Sequence, residues 1–480
     1  MDDEAIPRAR PVTGAVRVLV GVLGPVLVGA GVTALTSWRL GPVTRATVWA
    51  EDGGVFLRER VALGPVDSLL HPYAGYLHLL PRLLVDIGWA LPVADYALVL
   101  SLGSCTVVGV VAAVVFVLAR DVVPSWPFRL VLAAIPAILP LAPYEIAGNA
   151  ANLHWFLLFA APWCFAYRAR SWWGSAAVAV LTGFVVLSEL QTVFFLPLLL
   201  LAWFPLRDAS GARAWPRAVP VTLVAVLGTV AQVSTALTDH RDSRPGSPAF
   251  ADVVAGWVLQ PFAGAWDADV GATVRFVGVH GWAGLLVPLV LLVLVVVAAV
   301  LVGSWRARWT ILALALASGG VWWAALLANG GAAHGWSHPV AALEAVPPQR
   351  YAAASGLLLV AASVVSASVL VGWRTHVAPA TGQRGRTGGA ARLVGAVAGW
   401  CVVALVVAAA VGNAPPGATR RSGGPVWAGE IPSAVEACDG DPTKVVSVRT
   451  APWAADVPCS RLLGGSYFSG SDFSGSVLSG

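Results

Sequence analysis

Residues 282–302 read WAGLLVPLVLLVLVVVAAVLV, twenty-one positions without a single charge. A helix of roughly 20 mostly apolar residues crosses the ~30 Å of bilayer hydrocarbon, so this run is long enough to span a membrane. Ten further stretches, at 16–37, 94–119, 130–144, 153–167, 172–187, 192–206, 218–237, 309–328, 352–373 and 393–411, read the same way, which predicts about eleven spans. The whole chain agrees. Of its 480 residues, 58% are hydrophobic and 11% charged, whereas a soluble domain runs near 45–50% and about 25%. Mean hydropathy is +0.76. So much apolar surface cannot be hidden in one or two soluble cores, which excludes a soluble enzyme and a disordered scaffold. The expected fold class is an all-α polytopic membrane protein. A formal charge of +5 does not point to nucleic acid, because Lys444 is the only lysine and no basic cluster is interleaved with aromatics. The arginines read instead as topology signals.

Two long apolar stretches are broken by polar knots. Residues 172–205 would make a straight helix of about 51 Å at 1.5 Å per residue, which overshoots the hydrocarbon. A hairpin turning at Ser188-Glu189-Leu190-Gln191 lifts the carboxylate out of lipid, where a charge costs about 2.5–3.5 kcal/mol. The same reasoning sets a turn within Glu145–His154. The first run follows Arg8, Arg10 and Arg17, and its apolar core exceeds the usual 7–15 residues of a signal peptide, so it reads as an uncleaved anchor. That gives a cytoplasmic N-terminus over 1–15, a transmembrane region over 16–411 with outer loops at 38–93 and 238–280, and an extracytoplasmic piece over 412–480. Inside segments then carry sixteen of the 30 Lys/Arg but only five of the 25 Asp/Glu, as the positive-inside rule for a plasma-membrane protein requires.

The C-terminal piece starts with a linker-like NAPPGATRRSGGP, continues as a compact unit near 426–463 with a strand at 445–448, and ends in a Gly/Ser-rich stretch. Cys438 and Cys459 fall in it. In an oxidising exterior they form a disulfide worth about 3 kcal/mol; the alternative is two unpaired thiols. Cys105, Cys164 and Cys401 lie in apolar spans as small hydrophobes.

Parity of the spans puts most polar residues on one face: Glu51 and Asp52 after the first span, Glu145, Asn149, Asn152 and His154 at one tip, Glu189 and Gln191 at the next, and His334, His338, Glu344 and Arg350 before the tenth span. Gly53 and Gly54 permit a tight backbone that could aim one carboxylate inward. Residues 67–82 read as an interfacial helix whose His71, His78 and Arg82 could meet a lipid phosphate.

This layout resembles the GT-C glycosyltransferases. More narrowly, WAEDGGVFL (49–57), GYLHLLPRL (75–83), NLHWFLLF (152–159) and QRYAAASG (349–356) are similar to a group of uncharacterised actinobacterial membrane proteins with that layout. The resemblance implies transfer of a sugar from a polyprenyl-phosphate donor, within membrane lipid, to a cell-envelope acceptor outside the cytoplasm. It matches Asp52, or Glu51, to the first-loop acid that serves as base, and Arg350 to the phosphate-binding position, with Tyr351 assisting. Arg82 or His71 would be second choices for the headgroup, and Asn152, His154, Glu189 and Gln191 candidates for sugar hydroxyls. No cofactor is implied. Asp267-Ala268-Asp269 could hold a divalent metal, although a loop pair is the plainer reading, so metal dependence stays open. Two rivals remain: a transporter or flippase of a lipid-linked glycan, for which no repeat symmetry is visible, and a non-catalytic partner in envelope assembly, in which the polar tips would scatter.

Overall fold

The computed structural model describes residues 14–207, 211, 213–239, 243–332, 334–338, 341–376 and 386–464. The first thirteen positions, much of the loop between the last two spans and the Gly/Ser-rich end lie outside the described residues. Helix dominates, with one two-stranded sheet in the C-terminal piece. Among the described residues, seven helices are long and apolar enough to cross a membrane: Gly21–Arg45, Val93–Asp121, Trp215–Thr238, Ala283–Val302, Trp305–Ala328, Arg350–Trp373 and Gly389–Gly412. Four shorter apolar ones, Trp126–Ile138, Leu153–Ala166, Trp172–Val186 and Leu190–Trp203, fall where the remaining spans were expected. The protein is thus a helical, polytopic membrane-embedded chain. Arg350–His376 runs through its centre, and nearly all of its apolar side chains are buried, whereas Ala283–Val302 is mostly exposed, as a lipid-facing helix would be.

Connections gather at two ends of the bundle. At one, Arg306 donates to the carbonyls of Leu201 (2.6 Å) and Ala166 (2.6 Å), Arg170 pairs with Asp121 (3.0 Å) and Arg120 reaches Tyr167 (3.1 Å). Its character is basic. The other end holds the acidic and aromatic loops.

At that acidic end the chain between 139 and 152 has no regular structure yet is almost wholly buried. Irregular backbone at such depth needs partners for its N–H and C=O groups, and side chains supply them. Arg39 donates to Ala137 O (2.6 Å) and Leu139 O (3.0 Å); Asn149 Nδ2 donates to Glu145 O (2.7 Å). Arg421, from the C-terminal piece, donates to Ala147 O (2.8 Å), Gly148 O (2.9 Å) and Thr47 O (3.2 Å).

That last contact corrects the reading of 413–425 as a linker. Arg421 is buried, Arg420 pairs with Glu145 (3.2 Å), and Trp427, fully buried, donates from its indole to Val93 O (2.6 Å). The segment is a plug. Behind it, helix Trp427–Ala437, the antiparallel hairpin Val445–Arg449 and Ala454–Pro458, and helix Cys459–Leu463 form a small unit in which Cys438 and Cys459 are disulfide-bonded.

The two glycines after Asp52 also act differently from expectation. They lie in a wide π-turn, Asp52–Leu57, and make room for the hairpin. A Cβ on Gly53 would sit 2.8 Å from Thr450 Cγ2, and one on Gly54 3.1 Å from Ala454 O and from the Trp453 ring. Gly54→Leu is therefore expected to cost about 1–3 kcal/mol by overpacking and to loosen the hairpin; faster limited proteolysis within 440–460, with cleavage elsewhere unchanged, is the readout.

The predicted interfacial helix over 67–82 is broken. Helices Arg58–Asp67 and Leu79–Ala90 flank a tight turn in which Tyr73 and Tyr76 exchange backbone hydrogen bonds (3.0 and 3.2 Å), with Ala74 and Gly75 at positive φ. Gln232 pins the following strand-like stretch, accepting from Leu77 N (2.8 Å) and donating to Leu77 O (3.2 Å) and Val186 O (2.9 Å).

Candidate functional site

Parity alone leaves open whether the polar tips meet. They do. Residues from six separate stretches (51–56, 73–78, 151–155, 189–191, Asp239 with Ser243, and Asn329 with Arg350 and Tyr351) line one inner chamber of about 640 Å³. A second, outer chamber of about 780 Å³ adds Trp49, Glu145, His334, Arg420, Pro452 and Trp453. Glu51, Arg350 and Tyr351 line both and stand between them.

The divide is an ion cluster. Arg350 Nη1 donates to Glu51 Oε1 (3.1 Å) and lies 3.7 Å from Glu145 Oε1, while Arg420 holds the other Glu145 oxygen at 3.2 Å. Arg350 Nη2 also donates to the Tyr351 hydroxyl (3.3 Å). Helix geometry explains the position: Arg350 is the first residue of its helix, so a guanidinium there reaches past the end of the apolar cylinder. Glu51 Oε2 is buried and has no hydrogen-bond partner among the described residues, an expensive state unless a ligand completes it.

Asp52, the first choice for the base, is not in either chamber. It is fully buried, and its two oxygens accept from Ala150 N (3.0 Å) and Ala151 N (2.7 Å), just ahead of helix Leu153–Ala166. Its two oxygens thus satisfy two buried amides of the loop that precedes the helix. Burial pushes this carboxyl up to about 7 from 3.8, against the pull of the two amides and of Arg421, whose own guanidinium burial lowers to about 10. Adjacent positions thus take separate tasks: Asp52 builds the loop and Glu51 faces the chambers.

The remaining candidates divide in the same way. His154, Glu189, Asn152 and Gln191 line the inner chamber. His154 Nδ1 is bonded to Glu189 Oε2, and Glu189 Oε1 accepts from Gln191 N (2.7 Å). Asn152 faces the space, but its side chain is committed to Asn149 Oδ1 (2.9 Å) and the Trp155 indole (3.2 Å). Arg82 is withdrawn from both chambers: it pairs with Glu59 (2.6 Å) and covers the Phe56 ring at 4.7 Å. His71 is exposed and lines neither chamber. The turn at Tyr73–Tyr76 changes the phase of the segment, so His78, Tyr73 and Tyr76 enter the inner chamber instead. Asp267 and Asp269 serve as a helix start: Asp269 accepts from Ala272 N (2.7 Å), Asp267 accepts from Asp269 N (2.9 Å), and Arg275 lies 3.5 Å from Asp269. Neither is in the chambers, and among the described residues no group of three His, Cys, Asp or Glu is gathered as a metal site.

Sequence reasoning missed Arg420 and Trp453 of the outer chamber and Asp239 of the inner one. Arg420 sat in a Gly/Pro-rich stretch that looked like a tether, and only its doublet with Arg421 gave a signal. No family model, curated protein or solved structure matches this chain.

Proposed function

We propose that this protein is a GT-C-like membrane glycosyltransferase that moves a sugar from a polyprenyl-phosphate donor to a cell-envelope acceptor. The observation that carries the reading is the Glu51–Arg350 pair between the two chambers. An arginine that already meets two carboxylates through Nη1 offers its guanidinium fork to a phosphate. Donor phosphate displaces Glu51 and Glu145 from Arg350, with Arg420 adding a second positive charge beside it. The displaced Glu51 then serves as base. As the acceptor oxygen bonds to the anomeric carbon, its proton passes to Glu51; the bond from that carbon to the phosphate oxygen breaks, and the polyprenyl phosphate leaves with the electron pair. A phosphate is stable as an anion, so cations rather than an acid must meet the developing charge.

In this reading the seven long helices and the four shorter ones all cross the bilayer, giving eleven spans. The basic end, with Arg120, Arg168, Arg170 and Arg306, faces the cytoplasm of a plasma membrane together with the N-terminus. The chambers and the disulfide-bonded C-terminal unit face outward, the side on which a disulfide persists.

The test uses the purified full chain in liposomes with a panel of radiolabelled polyprenyl-phosphate sugars and envelope extract as acceptor. Protein-dependent movement of label to the acceptor is expected, with Arg350→Ala weakening donor binding about 10–100-fold through loss of a charge-assisted pair. Donor recovered chemically unchanged in the opposite leaflet would make the protein a transporter, and binding of none of the panel would end the proposal.

A further inference from the structure

The inner chamber has features that phosphate binding does not use. Arg350 sits at its boundary with the outer chamber and is already met there by Glu51. Deeper groups are of another kind. Glu189 and Asp239 both line the space, each accepting from a backbone amide, Gln191 N at 2.7 Å and Gly75 N at 3.0 Å. Among the described lining residues Arg350 is the only Arg or Lys, against the carboxylates Glu51, Glu189 and Asp239. Around these carboxylates runs a chain of rings: Tyr76 to His78 (4.0 Å between centroids), His78 to His154 (5.8 Å), His154 to Trp155 (4.1 Å) and Trp155 to Tyr351 (5.9 Å). Flat faces interleaved with hydrogen-bonding groups suit a ring that is apolar on its C–H face and polar at its edge.

His154 is the best-positioned of these groups. Glu189 holds Nδ1, which fixes the ring orientation and leaves Nε2 as the nitrogen that can serve a ligand. With Nδ1 donating to the carboxylate, Nε2 is an acceptor, suited to a hydroxyl.

We propose that the inner chamber is the donor-sugar site and selects an uncharged sugar ring over one bearing a carboxylate, with His154 accepting from a sugar hydroxyl and Glu189 as its positioning residue. The proposal rests on the transferase reading and adds the substrate class to it. Among the described lining residues, a uronyl carboxylate in this space would lie beside Glu189 and Asp239 with no Arg or Lys other than Arg350, which is occupied by phosphate; like charges in a partly buried site repel strongly. A neutral hexose meets acceptors for its hydroxyls and rings for its C–H face.

The experiment measures equilibrium binding of three lipids with one polyprenyl chain to the purified full-length protein: the neutral hexosyl phosphate, the corresponding uronyl phosphate and the sugar-free phosphate. The native protein should bind the hexosyl lipid at least about tenfold more tightly than the uronyl lipid, and more tightly than the sugar-free one. His154→Ala should erase the advantage of the hexosyl lipid over the sugar-free lipid while leaving affinity for the latter within about twofold, a control for the fold. Glu189→Gln, which swaps the tautomer and removes a charge, should narrow the gap between hexosyl and uronyl lipids by bringing the uronyl lipid up. Equal binding of hexosyl and uronyl lipids by the native protein overturns the proposal, as does a hexosyl advantage that survives His154→Ala. Binding of the sugar-free lipid with no gain from any sugar overturns it alone, whereas binding of none of the three removes the transferase reading and this proposal together.

Discussion

A Glu51→Gln protein is expected to transfer sugar about 10²–10⁴-fold more slowly than the native chain, the usual contribution of a positioned general base, while holding the donor lipid at least as tightly. The substitution keeps volume and shape. Its amide oxygen still accepts from Arg350, which donates to Glu51 Oε1 in the native chain at 3.1 Å. What it cannot do is take a proton from the acceptor hydroxyl. Removing the charge also removes one of the two carboxylates that compete with phosphate for Arg350, leaving Glu145. The rate and the donor affinity should therefore move in opposite directions or not together. Steady-state kinetics on the purified variant separates kcat from KM for the donor. A collapse of kcat with KM unchanged or lower supports the base. An unchanged kcat removes Glu51 from the chemistry, and a rise in KM with kcat intact makes it a binding residue only.

The longest spans were legible because hydrocarbon imposes one rule on any sequence. Runs such as 282–302 and 352–373 have no other place to be, and the observed helices Ala283–Val302 and Arg350–His376 follow them closely. The polar knots were legible for the complementary reason, since Glu145 and Glu189 could not stay in lipid. The choice between Glu51 and Asp52 was not. Neighbours in a helical turn point about 100° apart, and which one meets the chambers depends on where the amides of Ala150 and Ala151 arrive, nearly a hundred residues later. Arg82 and His71 misled because 67–82 was given a single helical phase, which the Tyr73–Tyr76 turn resets. Arg420 and Arg421 were hidden by composition: Gly and Pro around them signal absence of helix or strand, not absence of burial.

Arg421→Met is expected to destabilise the folded protein by about 3–5 kcal/mol, the cost of leaving a buried charge without its partner. Arg421 is buried, donates to three carbonyls and attracts Asp52. A methionine fills similar volume but leaves Thr47, Ala147 and Gly148 without those donors. The loss should depend on pH, and the sign follows from Asp52. Its folded carboxyl titrates near 7 rather than 3.8, so the folded state holds a proton that the unfolded chain releases; native stability therefore declines as pH rises from about 3.8 towards 7 and levels off above. Removing Arg421 takes away one of the groups that pull this value down, so the decline continues to higher pH in the variant. At pH 5 Asp52 is protonated in both proteins, and the variant lacks only its hydrogen bonds to carbonyls. At pH 8 it must also keep Asp52 neutral against the solvent or leave a buried carboxylate unpaired. Thermal unfolding of the two detergent-solubilised proteins should thus show a gap that widens from pH 5 to pH 8. Adding Asp52→Asn to Arg421→Met should abolish that widening, because the titrating group is gone. A gap that stays constant across this range, or narrows, would mean that Arg421 stabilises the loop through its carbonyl contacts alone and that Asp52 carries no charge there.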